Sequence, residues 1–351
     1  MHICFPSRAF AQLPGLARRA ASAAVAMAAL FCALPAQAET IKDIEQRGFL
    51  KCGVLNDYPG FGFLDNQGNY QGFDVDFCRA IAAALKTDVR YTRLDGNTRF
   101  PALASSEVDV VLMLVTDTMG RETSLKLDFP VMNFYDGQTY LVPKALNVTA
   151  IKELNGASIC LTSGSTGEVN TADYFRSRGL TYKPVVFQKI EDAERAYAEG
   201  RCDSILGQAA NLATLRANLS NPDDHLILPE LISKEPMGPV TRGNDRQWSQ
   251  AVKWIVNALL FAEERGVTQA NVAEQVKSAA DPEVRRMLGA EGALGADAGL
   301  PPDFAVRAIA AVGNYGEIFE RNVGEGSRFK MKRGLNALWS QGGLHYPPPF
   351  K

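Results

Sequence analysis

The sequence predicts two α/β domains, each built on a parallel-rich sheet, and three observations support that class. From Phe49 onward, short β-like runs alternate with amphipathic helical segments, and a β-α-β-α-β order implies a parallel sheet with helices on its faces. The same alternation restarts after a break near residues 140–143. With 351 residues, 46% of them apolar and 22% charged, the chain can bury two cores and has a globular composition.

The first 38 residues stand outside that pattern. Arg8, Arg18 and Arg19 precede the apolar run "AASAAVAMAALFCAL", and "PAQA" places small residues at 36 and 38. A basic start, a short apolar stretch and an A-x-A end predict a secretory signal peptide cut near Ala38. A membrane anchor would want ~20 apolar residues, and a lipoprotein attached at Cys32 is disfavoured by the bulky Phe31 before it. The remainder carries 34 basic and 39 acidic residues, a formal charge of −5. Without a basic cluster it is not expected to bind nucleic acid. A soluble periplasmic protein, monomeric, is expected.

Past the leader, "FLKCGVL" reads as a strand, "DVDFCRAIAAAL" as a helix, "DVRYTRL" as a strand, "TRFPALASSE" as a helix and "VDVVLMLV" as a third strand. "QTYLVPK" is an exit strand. The restart comprises "SIC", helix "VNTADYFRSR", strand "YKPVVF", helix "IEDAERAYAEG" and strand "CDSILG". The chain is expected to return to the first domain around "KEPMGPVTRG", with "VKWIVNALLFAEERG" packing on it as a helix. The predicted limits are 39–140 and 237–351 for the first lobe and 141–236 for the second. A helical C-terminal stretch ends in "GGLHYPPPFK", which can continue neither a helix nor a central strand.

Four cysteines remain after the leader: Cys52, Cys78, Cys160 and Cys202. In an oxidising compartment an even number suggests disulfides. Their placement, two per local unit, pairs Cys52 with Cys78 and Cys160 with Cys202, each loop worth ~3.5–4 kcal/mol in the chain-entropy model. Zinc is the rival, but no C-x-x-C is present and only His225 and His345 lie beyond the leader. Neither a metal nor a cofactor is expected.

Ligands of open α/β sheets bind outside the carboxyl ends of the strands. Four loops are expected there: "NDYPGFGF" with Tyr58 and Phe61; "LVTDTMGRETS" with Thr116, Thr118 and Arg121; "LTSGSTGE" with Ser165 and Thr166; and "GQAANL" with Gln208. A guanidinium forks onto a carboxylate, and free N–H groups at a strand-to-helix junction favour an anion. Each loop also has a plainer reading: aromatic packing, pairing of Arg121 with Glu122 or Asp128, or a capping box. Their combination, in order on two domains, points to a carboxylate-bearing ligand.

The ordered set "GVLNDYPGF…GFDVDFCRAIA…EVDVVLMLVTDTMGRETSLKLDF…YDGQTYLV" resembles the polar amino-acid binding proteins of ABC importers. "ASICLTSGSTGEVNTADYF", "AYAEGRCD" and "LPELISKEPMGPVTRG" look most like the general L-amino-acid branch. The resemblance implies a two-lobed type II clamshell with a two-stranded hinge, closing on one solute for an inner-membrane ABC permease. It implies Arg121, Thr116 and Thr166 on the α-carboxylate and Tyr58 stacked on the ligand. Two departures stand out. Gln208 occupies the place of the aspartate that holds the ammonium, and Met113, Leu114 and Val115 make the approach to the arginine loop apolar. An amino acid is the first expectation; a 2-oxo acid, hydroxy acid or dicarboxylate is the alternative that Gln208 raises. An exported dehydratase on the same fold would need a general acid or base. The loops offer Asp57, Asp117 and Glu168 but neither His nor Cys, so no enzyme is expected. A sensory binding subunit is the third and weakest reading.

Overall fold

The computed structural model describes residues 39–351; the leader expected over residues 1–38 lies outside the described residues. Helix α1 (Thr40–Arg47) leads into β1 (Phe49–Val54) through Gly48, whose φ of 77° ends the helix in the left-handed region. A small meander of β2 (Asp57–Tyr58), β3 (Gly62–Leu64) and β4 (Tyr70–Gln71) follows. After α2 (Phe73–Ala84) come β5 (Asp88–Arg93), the short helix α3 (Arg99–Ala104) and β6 (Val110–Val111). Strand β1 lies between β5 and β6, parallel to both. The third predicted strand is cut short to two residues, because Leu114 adopts a φ of 50° and turns the chain toward α4 (Met119–Thr123) and β7 (Leu127–Asp128).

The second sheet has the order β11-β10-β12-β9-β13. In chain order, β8 (Phe134–Asp136) precedes β9 (Gln138–Pro143), β10 (Ser158–Thr162), α5 (Thr166–Ser177), β11 (Lys183–Phe187), α6 (Ile190–Ala198), β12 (Ser204–Gln208), α7 (Ala209–Asn218) and β13 (His225–Ile227). Strands β10, β11 and β12 are mutually parallel, while β9 runs antiparallel to β12 and β13. Side chains of β9 alternate between two faces: Tyr140 and Val142 pack with Ile159 and Phe175, and Leu141 packs with Cys160, Cys202 and Leu212.

Two crossings join the sheets. The outgoing β8 pairs antiparallel with the returning β14 (Glu235–Met237), setting Glu235 opposite Asp136; β15 (Thr241–Arg242) then pairs with β7 within the first lobe. This is the two-stranded hinge implied by the resemblance. The returning chain forms α8 (Arg246–Glu264), whose Trp248, Ile255 and Leu259 are fully buried against Leu50, Phe77 and Ile81. Helices α9 (Val272–Ser278), α10 (Pro282–Met287), α11 (Leu294–Asp297), α12 (Phe304–Val312) and α13 (Tyr315–Asn322) complete that lobe. No helix among the described residues is long and apolar enough to cross a membrane.

Both expected disulfides form. Cys52 joins β1 to Cys78 of α2 with Cα atoms 6.2 Å apart, and Cys160 of β10 joins Cys202 just before β12 at 5.7 Å. The C-terminal stretch returns to the hinge. The side chain of Asn336 donates to Tyr135 O at 2.9 Å and accepts from Tyr135 N at 2.7 Å.

Candidate functional site

The carboxyl ends of β1, β5, β6, β10, β11 and β12 all open onto one cavity of about 410 Å³. The lobes touch across it. Asn97 Nδ2 donates to Gln188 Oε1 at 2.9 Å, Arg99 Nη2 donates to Gly164 O at 3.1 Å, and Arg93 Nη2 lies 3.2 Å from Glu191 Oε1. Tyr58, Ser165 and Gln208, all singled out in the sequence, line this cavity.

The remaining candidates fall elsewhere. Phe61 is fully buried in the first-lobe core, edge-on to Phe73 and Phe134 with centroids 5.9 and 5.2 Å away, so its part is packing. Thr118 caps α4 by accepting from Arg121 N at 3.3 Å. Thr116, Thr166 and Arg121 come together near the hinge but are not among the cavity-lining residues. There the Thr116 hydroxyl donates to Glu235 Oε2, Thr166 Oγ1 donates to the same oxygen at 3.1 Å, and Arg121 Nη1 donates to Thr116 O at 2.5 Å. Gln138 links this group to the cavity: it lines the wall and donates to Thr166 Oγ1 at 2.9 Å. Ser165 caps α5, accepting from Gly167 N at 3.2 Å and donating to Thr162 O at 2.6 Å.

Two polar residues that the sequence reading passed over face the cavity with unmet hydrogen-bonding capacity. Arg99, at the start of α3, is 8% exposed, and its Nε has no partner. Burial first, and the like charge of Arg121 second, push its guanidinium down to about 9. Asn211, in the first turn of α7 on the opposite lobe, is 4% exposed with an unpartnered Oδ1. A buried donor or acceptor left unpaired costs about 1–3 kcal/mol, and these two lie where a ligand in the cavity would pair them. Arg99 was discoverable, because the loop after β5 also leaves the carboxyl end of a parallel strand.

The rim beside Tyr58 is acidic. Arg93 Nη2 bonds Asp57 Oδ2 at 2.6 Å and reaches Glu191 of the other lobe, so one guanidinium serves two carboxylates. Burial, then the hydrogen bond with Glu191, raise Asp57 to about 7, and burial, then Glu191 and Asp57, raise Glu194 to about 8. The Tyr58 hydroxyl is buried without a partner in the same neighbourhood. The cleft therefore has a cationic side at Arg99 and a carboxyl-rich rim at Asp57, Glu191 and Glu194, where burial favours the protonated form of Asp57 and Glu194.

Residues 50–286 match the family described as bacterial extracellular solute-binding proteins, family 3. The chain is 48% identical over 336 residues to the general L-amino acid-binding periplasmic protein AapJ of Rhizobium johnstonii, covering 94% of this chain and 98% of the relative. It is 49% identical over 330 residues to the glutamate/glutamine/aspartate/asparagine-binding protein BztA of Rhodobacter capsulatus, covering 93% and 97%. Among solved structures, a periplasmic binding protein of an ABC transporter from Brucella ovis, with glutathione bound, superposes with a TM-score of 0.86. It is 48% identical and covers 90% of this chain and all of its own. The two sheets, the two-stranded hinge and the cleft at the strand ends have the type II clamshell arrangement, and the chain belongs to the family 3 bacterial extracellular solute-binding proteins.

Proposed function

We propose that this chain is the periplasmic receptor of an ABC-type amino-acid importer. In this reading the cleft takes the solute's carboxylate on Arg99 and its ammonium on acceptors around Asn211. The carrying observation is the pair of orphaned polar atoms: Arg99 Nε from one lobe and Asn211 Oδ1 from the other, both buried and both belonging to residues of the same cavity wall. A zwitterion has a matching anion and cation, and charge-assisted hydrogen bonds in a cleft closed to water are the strong kind. Glu191 lines the same cavity and adds a carboxylate on the ammonium side. The amino-acid ligands for which both curated relatives are named support the reading.

The alternative of a 2-oxo or hydroxy acid, raised by Gln208 in place of an aspartate, is not favoured. The Glu191 carboxylate and the unpartnered Asn211 Oδ1 would have no counterpart in a ligand without an ammonium. A second amino-acid reading has its own support. The cavity of about 410 Å³ lies within the ~300–1,000 Å³ usual for small-molecule sites, and the Brucella ovis relative holds glutathione. A γ-glutamyl peptide ends in the same α-amino-acid group and would extend along the cleft.

Hinge motion would occur at the β8–β14 ribbon, with residues 138–236 moving against the rest, and the closed form would be what an inner-membrane permease engages. Export would follow cleavage near Ala38. A binding role without turnover is the reading for the whole chain. The test is a thermal-shift screen of L-glutamate, L-glutamine, L-aspartate, L-asparagine, other L-amino acids, their 2-oxo counterparts and glutathione. A ligand at 100 times its Kd stabilises by ~2.7 kcal/mol. Stabilisation by a 2-oxo acid and by no amino acid or glutathione would overturn the proposal.

A further inference from the structure

We propose that the C-terminal segment 333–345 is a hinge strap, in which Asn336 is a positioning residue: it fixes the first-lobe root of β8, so that the lobes turn about a pivot at Asp136. Strand β8 pairs with β14 on one side only, which leaves it an edge of unpaired backbone groups. Opposite Tyr135 on that ribbon stands Pro236, which has no N–H to give. Asn336 completes the residue from the open side. Its Nδ2 donates to Tyr135 O at 2.9 Å and its Oδ1 accepts from Tyr135 N at 2.7 Å, and the side chain is 5% exposed. One side chain thus satisfies both backbone groups of a hinge residue 201 positions away. A second anchor lies two residues upstream. The Tyr315 hydroxyl donates to Asn133 O at 2.9 Å, and the buried His345 Nε2 sits 3.0 Å from that hydroxyl.

The strap is itself tied to the first lobe at both ends. Arg333 forks onto Glu263 of α8 at 2.9 and 3.1 Å, and the same guanidinium donates to Asn336 O at 2.9 and 3.1 Å. Past the turn, Phe350 packs on Trp254 and Phe261 with ring centroids 5.2 Å from each, and its carbonyl accepts from Arg286 Nε at 2.8 Å. The other end of the crossing belongs to the second lobe. There Gly137 O accepts from Ala209 N at 2.9 Å and Gln138 O accepts from Ile232 N at 2.8 Å. The outgoing strand is therefore pinned to one lobe at Tyr135 and to the other at Gly137, which leaves Asp136 as the step between them. Hinges of this kind work through a few element-terminal residues that absorb the change in φ and ψ. A ribbon free from Asn133 onward would give the open receptor more orientations to lose on closing. Fewer of those orientations would bring Arg99 to Gly164 and Asn97 to Gln188.

The inference rests on the receptor reading, but its first test needs no solute. In hydrogen exchange on the free chain, the β8–β14 amides other than that of Tyr135 should exchange about tenfold faster or more in Asn336→Ala than in wild type. The amides of β1, β5, β10 and β12 should stay within about twofold. Asn336→Asp keeps the acceptor for Tyr135 N but not the donor to Tyr135 O, and should fall between the two. A change confined to Tyr135, a uniform rise over the whole first lobe, or loss of the fold in both variants overturns the proposal. The second test is calorimetry with L-glutamate and L-glutamine. Asn336→Ala should weaken both about tenfold and leave their ratio within about twofold, since the residue touches the hinge and not the solute, and Asn336→Asp should recover part of the loss. Unchanged affinities, or the weakening of one amino acid alone, overturn the positioning role. A wild-type chain that binds neither amino acid, with ribbon exchange as expected, would sink the amino-acid reading and leave the strap standing.

Discussion

Replacing Arg99 by methionine should move binding and stability in opposite directions. The guanidinium is 8% exposed, bonds only Gly164 O at 3.1 Å, and faces the like charge of Arg121. Its fall to about 9, caused by burial first and the like charge of Arg121 second, amounts at about 1.4 kcal/mol per pH unit to several kcal/mol of unfavourable charge in the folded chain. Methionine removes that cost, keeps much of the volume, and forfeits one hydrogen bond worth ~1 kcal/mol. In the absence of solute, Arg99→Met should therefore melt at or above the wild-type temperature. A solute carboxylate seated on Arg99 answers the buried charge, and truncating such a pair costs about 2–5 kcal/mol of affinity, roughly 30-fold to several thousandfold. Arg99→Lys should recover only part of it, because an ammonium lacks the forked donors. Calorimetric titration with the best ligand from the screen, beside a melt of each free variant, reads both quantities. Binding within twofold of wild type in Arg99→Met, or a melting temperature lower by several degrees, would refute the assignment.

Two further outcomes are expected. Burial raises Glu194 to about 8, Asp57 and Asp74 to about 7 and Asp136 to about 6, so the folded chain holds protons that the unfolded chain has released. Their stabilising contribution is complete below the unfolded carboxylate range and drains away as pH rises through these values. His345, pushed down to about 3 by burial, works the other way: its contribution is present above 6.5 and is lost as pH falls. The melting temperature at constant ionic strength should accordingly fall between pH ~6.5 and ~8, below the range where Arg99, held down to about 9, loses its proton in the folded chain and opposes the trend; a flat or rising curve would contradict it. Gly72 has a φ of 129°, and a Cβ there would meet Phe61 O at 2.2 Å. Gly72→Ala should cost more than ~2 kcal/mol, seen as a lower denaturant midpoint, and an unchanged midpoint would show that the Phe61 loop gives way freely.

The architecture was largely legible because its signals are local or periodic. The alternation of strand and helix patterns, the restart near 140–143 and the helix after "PVTRG" are read from neighbouring residues, and the cysteine placement predicted both disulfides. What sequence could not reveal depends on contacts between distant segments. "LMLV" reads as more strand, yet Leu114 at a φ of 50° turns away, because Met113 and Leu114 are needed as wall rather than ladder. Phe61 and Tyr58 look alike as loop aromatics, but a three-residue step sends one into the core and leaves the other on the cavity. Arg99 carried one usable signal, its place just beyond the carboxyl end of β5, but the helix start around it reads as ordinary amphipathic surface and masked it. Glu235 was hidden further still: nothing in "SKEPMG" says that a hinge strand brings it to within hydrogen-bond reach of Thr116 and Thr166, which are 119 and 69 residues away.

The neutral residue at 208 then becomes understandable from the floor of the cleft rather than from the ligand. Gln208 pairs in register with Gln138, two residues from Asp136, and α7 begins immediately after it. Two N–H groups of that helix start are already engaged: Ala210 N donates to Asp136 Oδ2 and Ala209 N donates to Gly137 O, both at 2.9 Å. Asp136 also sits opposite Glu235 across the β8–β14 ribbon, and burial with that neighbour already lifts it to about 6. An aspartate at 208 would add a third carboxylate to a partly buried floor whose nearby cation, Arg121, is already offset by Glu235 and Asp117. Like charges at such distances cannot all ionise without several kcal/mol of repulsion. The chain instead keeps a carboxylate at Glu235 and leaves position 208 to a side chain that can both donate and accept without a charge.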